Sequence, residues 1–275
     1  MKGGNFENKV VVVTGGASGI GAAIGYEFGR HGARIVLLDF DVRALRAAEK
    51  RFRGDGIEVL ARRCDVTDRG ECERSARAVT KRFGGIDVLV NNAGITQRSL
   101  FRKTDVEVIR RVMEVNFYGS VNCTKAALES LIGRGGMIIV VTSIAGVAPL
   151  YGRTGYAASK HALHGFFDSL RSELRGNGVH VMMVSPGFTA TNLQNRALDG
   201  DGSINLRRRS IVGGQDTPEH VAQAVFEGAR KRRRAIILTG VGKISYYASR
   251  FFPVFYENKM VRAVEDEFEE QSVNR

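Results

Sequence analysis

Val10-Val11-Val12-Val13-Thr14-Gly15-Gly16-Ala17-Ser18-Gly19-Ile20-Gly21 sets four β-branched residues directly before a glycine-rich turn, and the residues that follow, toward Arg30, read as a helix. A continuously apolar run suits a strand covered on both faces, as in a parallel sheet. Glycines between strand and helix allow a tight turn and close backbone approach, so that a pyrophosphate can rest on the helix N-terminus. Such a turn also serves plain strand-to-helix geometry. The flanking elements are what favour a dinucleotide site, with Gly15, Ser18, Gly19, Ile20 and Gly21 as its contacts.

Outward from this unit, short apolar runs recur at Ile35–Leu38, Ile57–Leu60, Val88–Val90, Met137–Val141, Val179–Val184 and Ile236–Leu238, most of them separated by enough chain for a crossover helix. Repeated strand-helix-strand units predict an α/β fold, a doubly wound parallel sheet of about seven strands with helices on both faces. Asp105–Leu131 reads as one long helix with Asn116 and Gly119, both poor helix-interior residues, in its middle. No low-complexity stretch interrupts the series, which predicts one catalytic domain over residues 1–242 and an extension over 243–275.

With 275 residues and 43% apolar content, the chain can bury roughly three quarters of the surface its unfolded form exposes. No apolar run approaches the roughly 20 residues that span a bilayer. Met1–Val13 lacks the pattern of a secretory signal, so the expected compartment is the cytoplasm. Cys64, Cys72 and Cys123 form no C-x-x-C pair, which fits free thiols and excludes a disulfide scaffold. The formal charge of +12 is scattered, with clusters at Arg207-Arg208-Arg209 and Arg230–Arg234 and an acidic end at Glu265–Glu270. Charge runs usually form solvated helix faces. A nucleic-acid reading, which predicts salt-dependent retention on DNA, is disfavoured because no basic groove with interleaved aromatics precedes residue 240.

Asp39 ends the second strand, 18 residues after Gly21. A carboxylate there can accept hydrogen bonds from both adenosine ribose hydroxyls and repels a 2′-phosphate, which favours NAD(H) over NADP(H). The competing reading is that Asp39 or Asp41 caps the helix beginning near Val42, and Arg43 one turn along works against the discrimination. Cys64-Asp65-Val66 and Asn91-Asn92-Ala93-Gly94 end the third and fourth strands on the same sheet edge, where ligands bind in open α/β sheets. Ser143 ends the fifth strand, and 13 residues later Tyr156-Ala157-Ala158-Ser159-Lys160 opens a helix through Arg175. Tyr156 and Lys160, at i and i+4, share a helix face at roughly 5–6 Å between Cβ atoms. A free tyrosine titrates at about 10, and a neighbouring cation lowers that toward a useful working pH. Taken alone, the pair is also ordinary helix decoration.

Together, Thr14-Gly15-x-x-x-Gly19-x-Gly21, Asp65, Asn91-Asn92-Ala93-Gly94, Asn116, Ser143, Tyr156-x-x-x-Lys160 and Pro186-Gly187 with Thr189 make the chain resemble the short-chain dehydrogenase/reductase family, compact branch, over residues 8 to about 240. The resemblance implies a Rossmann-type fold and reversible hydride transfer between a nicotinamide cofactor and an alcohol or carbonyl carbon. It implies that Tyr156 is the acid/base, that Ser143 hydrogen-bonds the substrate oxygen, and that Lys160 lowers the Tyr156 pKa and binds the nicotinamide ribose. Asn116 would hold a water linking Lys160 to solvent. Asp65, Val66, Asn92, Ala93, Gly94, Pro186, Gly187 and Thr189, with Tyr156 and Lys160, would contact the cofactor, and no metal is required. Relatives pair through the helices matching those of Asn116 and Tyr156, which implies a homodimer or homotetramer. The Tyr–Lys spacing disfavours enoyl reductases, and the glycine turn disfavours extended-branch epimerases.

The expectation is an NAD(H)-dependent oxidoreductase acting on an apolar secondary alcohol or ketone, steroid-like or lipid-derived. The alternatives are an NADP(H)-dependent 3-oxoacyl or carbonyl reductase, and a dinucleotide-sensing or scaffold protein without turnover. Ala145–Arg153 and the segment Phe188–Gln215 should form the substrate cleft, with Val147, Leu150, Tyr151 and Phe188 as its apolar wall and Arg153 meeting either an acidic group or water. His161 and His164 carry no assigned role.

Ile244–Tyr256 holds six aromatic residues in a chain that is 8% aromatic, with Lys243, Arg250 and Lys259 close by and Ile244, Tyr247, Ala248, Phe251 and Phe255 at helical spacing. Three readings compete: packing on the tail's own domain or a sister subunit, a lid over an apolar substrate, and peripheral attachment to anionic lipid. The first is favoured because aromatic stripes are usually core, and Pro253 should break the helix.

Overall fold

The apolar runs become the strands β1 (Val10–Thr14), β2 (Arg34–Asp39), β3 (Val59–Arg63), β4 (Val88–Asn91), β5 (Met137–Val141), β6 (His180–Ser185) and β7 (Ala235–Ile237). The structure, a computed structural model, describes residues 5–191, 193–207, 209–211 and 214–269. Arg208 of the basic triplet, residues 212–213 of the cleft segment, and 270–275 of the tail lie outside those residues. Among the described residues the seven strands form one parallel sheet in the order β3-β2-β1-β4-β5-β6-β7. The order reverses between β1 and β4, and a crevice opens there at the carboxyl ends of the strands.

The period-2 alternation within β1 splits the core in two. Val11 and Val13 face one layer with Ile24, Phe28, Phe52 and Val225. Val10 and Val12 face the other with Val79, Leu131, Leu163 and Phe167. The first layer is built by α1 (Gly19–Gly29), α2 (Val42–Gly54) and α7 (Pro218–Arg230), the second by α3 (Arg69–Phe83), α5 (Gly119–Arg134) and α6 (Thr154–Glu173). Side chains cap several starts: Asp41 accepts from the Ala44 amide, Asp68 from Glu71 and Thr217 from His220, each cap contributing about 1 kcal/mol.

Two expectations shift. The third strand starts two residues later than its apolar run, because Gly56 turns at φ +75° and the Ile57 amide donates to the Phe52 carbonyl at 2.9 Å, so that Ile57 closes α2 instead of joining the ladder. The strand then extends through Arg62 and Arg63, whose charged heads bond to Ser75 and Glu71. The long helix is α4 (Val106–Met113) continued into α5, with one π-helical turn over Glu114–Tyr118. Such a turn often marks a functional site, and Asn116 lies inside it. The three cysteines are free and buried, with the Sγ atoms of Cys72 and Cys123 3.5 Å apart. Burial and thiol neighbours push the Cys64 and Cys72 pKa values up, which keeps both protonated.

Candidate active site

The ends of β1 and β4 are tied together. Thr14 Oγ1 accepts from the Asn92 and Ala93 amides at 3.0 and 3.1 Å, and Asn92 Nδ2 donates to the Thr14 and Gly15 carbonyls at 3.0 and 3.1 Å. Gly15 and Gly19 take φ of +60° and +55°, which side chains rarely adopt. Gly21 is a matter of space: a Cβ there would stand 2.2 Å from the Gly15 carbonyl oxygen. These packings leave an open backbone cradle at the start of α1.

Beside it, Asp39 accepts from the Ala17 amide through Oδ2 and from the Asp41 amide through Oδ1, both at 3.1 Å. Asp41 is the residue that caps α2. Asp39 thus holds the glycine turn and lines the cavity, and with one bond accepted at each oxygen it keeps further acceptor capacity. Asp65 sits one strand over, its Oδ1 accepting from the Thr67 amide and hydroxyl.

At the other end of the crevice Ser143, Tyr156 and Lys160 meet. The bend after β5 brings Ser143 over α6, and it packs so closely that a Cβ on Gly146 would lie 2.9 Å from the Lys160 carbonyl oxygen. Lys160 is buried; its Nζ donates to the Val141 carbonyl at 3.0 Å and lies 5.8 Å from the Tyr156 ring centroid. Burial drops the Lys160 pKa to about 8. The Tyr156 phenol is raised above its ordinary value because burial outweighs its hydrogen bond with Ser143 and the positive charge of Arg153. Lys160 therefore does not produce the net lowering expected from i,i+4 spacing, since desolvation acts against both charged forms at once. Asn116 is fully buried: its Nδ2 donates to the Ile95 carbonyl (3.0 Å) and the Ser159 hydroxyl (2.9 Å), and its Oδ1 accepts from the Ile95 amide (2.8 Å). The π-helical turn thereby fixes the chain leaving β4 against α6, next to Gly94.

One cavity of about 1210 Å³ joins the two ends. Gly15, Ser18, Gly19, Ile20, Asp39, Asp65, Val66, Asn92, Ala93 and Gly94 line one half, and Ser143, Tyr156, Lys160, Pro186, Gly187 and Thr189 the other. Gly21 and Asn116 do not line it; they shape it from behind. Sequence reasoning missed Phe40, an exposed ring on the lip beside Asp39, and Arg196, which pairs with Asp41 at 3.5 Å.

Of the expected apolar wall, Leu150 and Phe188 face the cavity, whereas Val147 and Tyr151 do not. Val147 is turned into the interior, and the Tyr151 ring stands edge-on to Phe268 at 5.5 Å. The missing wall comes from the tail, folded as α8 (Gly240–Phe251), α9 (Pro253–Val264) and the short α10 (Asp266–Glu269). Pro253 breaks the helix as expected and becomes the first residue of the next. Tyr256, Met260 and Val264 of α9 line the cavity. The aromatic stripe is divided: Tyr247, Phe251, Phe252 and Phe255 are 60–70% exposed, whereas Ile244 and Ala248 line the cavity and the Tyr256 hydroxyl donates to the Pro149 carbonyl at 3.1 Å. Arg153 is buried and pairs with the chain's own Glu267 at 3.5 Å instead of facing water. Among the described residues no helix is long and apolar enough to cross a membrane.

The family model for short chain dehydrogenases matches residues 9–201. Dehydrogenase/reductase SDR family member 7B of Rattus norvegicus is 37% identical over 240 residues, covering 84% of this chain and 74% of its own. A short chain dehydrogenase/reductase from Burkholderia phymatum, solved with NAD, shares the fold at a TM-score of 0.83 and 23% identity, over 92% of this chain and 96% of that one. An alcohol dehydrogenase from Thermococcus sibiricus, solved with 5-hydroxy-NADP, aligns at a TM-score of 0.73 and 27% identity, over 85% of this chain and 97% of that one. With the doubly wound sheet, the glycine turn at its switch point and the serine, tyrosine and lysine gathered at the same edge, the chain belongs to the short-chain dehydrogenase/reductase family of oxidoreductases.

Proposed function

We propose that the protein interconverts an apolar secondary alcohol and its ketone with NAD(H) as cofactor. The observation that carries this reading is the single cavity running from the glycine cradle to Ser143, Tyr156 and Lys160. The residues fit a nicotinamide dinucleotide: the cradle is one that a Cβ on Gly15 or Gly21 would fill, and Asp39 keeps acceptor capacity for vicinal ribose hydroxyls. When bound, the cofactor supplies or takes the hydride. The chain's own work is to orient the reactants, exclude water and move a proton. Tyr156 donates its phenolic proton to the carbonyl oxygen, and the Ser143 hydroxyl donates a hydrogen bond to that same oxygen. Lys160 places a positive charge beneath the pair, and the Asn116 turn holds the Gly94 side of the pocket.

Because its pKa is raised, the phenol is protonated at neutral pH, the form that donates a proton in carbonyl reduction. A panel of alcohols and ketones followed by NADH absorbance tests the assignment; no turnover with intact cofactor binding would favour the sensor alternative.

The preference for NAD(H) rests on Asp39, and the nearby Arg196 is engaged on Asp41 instead of standing free for a 2′-phosphate. The expected kcat/KM is at least about tenfold higher with NAD⁺ than with NADP⁺, a gap of about 1.4 kcal/mol, and Asp39→Asn should narrow it. Equal or better use of NADP⁺ by the wild type would reverse this assignment in favour of the NADP(H) alternative.

Of the exposed rings of α8 and α9, Phe255 lines the cavity, and the same two helices carry Lys243 and Lys259. This pairing of apolar and cationic groups supports peripheral docking on anionic lipid, from which an apolar substrate could enter directly. Phe251→Ser with Phe252→Ser alters two exposed side chains outside the cavity wall. Co-sedimentation with phosphatidylserine-containing vesicles should fall at least about tenfold, given about 1.5–3 kcal/mol for each fully buried ring. Unchanged sedimentation would remove the lipid-docking proposal.

A further inference from the structure

Three guanidinium groups converge beneath the tail and share one carboxylate. Glu267 of α10 lies 3.5 Å from Arg153 and 3.8 Å from Arg98, and accepts from the Ser210 amide at 2.8 Å. Arg209, the third, stacks over Phe188 at 4.8 Å and feels the Glu267 charge. The neighbouring Arg207 is already paired with Asp199 at 2.8 Å. Arg98 and Arg153 are each about 95% buried, at 4% and 5% exposure. Arg98 anchors the cluster, donating to Asn205 and to the Arg207 carbonyl.

A purely structural ion pair would balance its charges, since a buried cation left unpaired costs several kcal/mol. Here the balance is missing among the described residues: with the Arg207–Asp199 pair included, four cations share two anions. Arg98 Nε, Arg153 Nη1 and Arg209 Nη1 are each buried without a hydrogen-bond partner among the described residues, and Arg153 is the member of the trio that also lines the cavity. Burial, reinforced by the charges of Arg98 and Arg209 and opposed by Glu267, pushes its pKa down to about 10. It stands three residues before Tyr156 and is close enough for its charge to act on the phenol. Leu150, Phe188, Met260 and Val264 supply apolar lining to the same cavity.

Resting on the oxidoreductase reading above, we propose that Arg153 is a specificity-determining residue that receives the anionic head group, carboxylate or phosphate, of an otherwise apolar substrate. Charge-assisted hydrogen bonds from a guanidinium to such a group are among the stronger polar contacts. The placement of Arg153 next to Tyr156 puts the reacting carbonyl at the head-group end of the substrate, with the apolar tail running toward α9. Glu267 holds the guanidinium from behind and competes with the ligand for it.

Calorimetric titration with octyl phosphate, octanoate and octanol tests this on the intact chain. Wild type should bind at least one of the two anions about tenfold or more tightly than octanol, and the two anionic arms separate phosphate from carboxylate. Arg153→Met should abolish that preference while leaving octanol binding within about twofold, and Arg153→Lys should restore part of it. Glu267→Gln, which keeps an acceptor for Ser210 but removes the competing charge, should tighten anion binding several-fold. It keeps the question open to refutation if Arg153→Met does not fold. No anion preference in wild type, a preference unchanged by Arg153→Met, or weaker anion binding in Glu267→Gln would overturn the assignment. NADH titration and the alcohol and ketone panel report separately on the oxidoreductase reading: cofactor binding and turnover without anion preference would sink only the inference about Arg153.

Discussion

Tyr156→Phe is expected to lower kcat for carbonyl reduction by about 10²–10⁴-fold, the range that a positioned general acid contributes, while the cofactor dissociation constant stays within about twofold. The substitution removes one hydroxyl and leaves the ring in its place on α6, so the packing around Lys160 and Ser143 is kept. Stopped-flow or steady-state NADH absorbance measures the first quantity and NADH fluorescence titration the second. A variant with wild-type kcat would refute the acid role.

The same site fixes the pH dependence. A lysine whose pKa is lowered to about 8 is charged at pH 7 and loses its proton as pH rises through that value, whereas the raised phenol remains protonated there. Reductive kcat/KM should therefore be flat near neutrality and fall above about pH 8. A profile that instead rises through that region would mean that the phenolate is the working form.

Gly21→Ala should weaken cofactor binding at least about tenfold, or about 1.4 kcal/mol. Its Cβ would stand 2.2 Å from the Gly15 carbonyl oxygen and 2.4 Å from Asn92 Nδ2, and both belong to the clamp between β1 and β4. Neither atom can yield without opening the cradle. Gly133→Ala is the matched control: it lies within α5 with nothing inside 4 Å of the new Cβ. There the replacement should be neutral or stabilise by about 0.4–1 kcal/mol through the unfolded chain. Equal cofactor affinity in wild type and Gly21→Ala, read by NADH titration with thermal melts as a fold check, would argue against the cradle.

The sheet was legible because each strand except β3 announces itself as an unbroken apolar run, and a strand covered on both faces needs no other signature. β3 was misjudged where Gly56 diverts Ile57 to the end of α2, and where a half-covered edge strand carries Arg62 and Arg63. The residues that line the glycine-turn half of the cavity were equally readable as a group, since they sit at the ends of strands and in turns whose glycines are locally constrained. The sign of the Tyr156 shift was not, because i,i+4 spacing reports the cation but says nothing about the dry surroundings that act against it. The substrate half was the least legible. Arg98 and Arg153 reach Glu267 across more than 100 residues of chain, and such contacts leave no periodicity or spacing to read.

The region that matches the family model stops at residue 201, yet Tyr256, Met260 and Val264 line the same cavity as Ser143, Tyr156 and Lys160. The cavity wall is thus drawn from both sides of residue 201, so exchanging the final thirty-odd codons between relatives would alter part of that wall and leave Ser143, Tyr156 and Lys160 untouched.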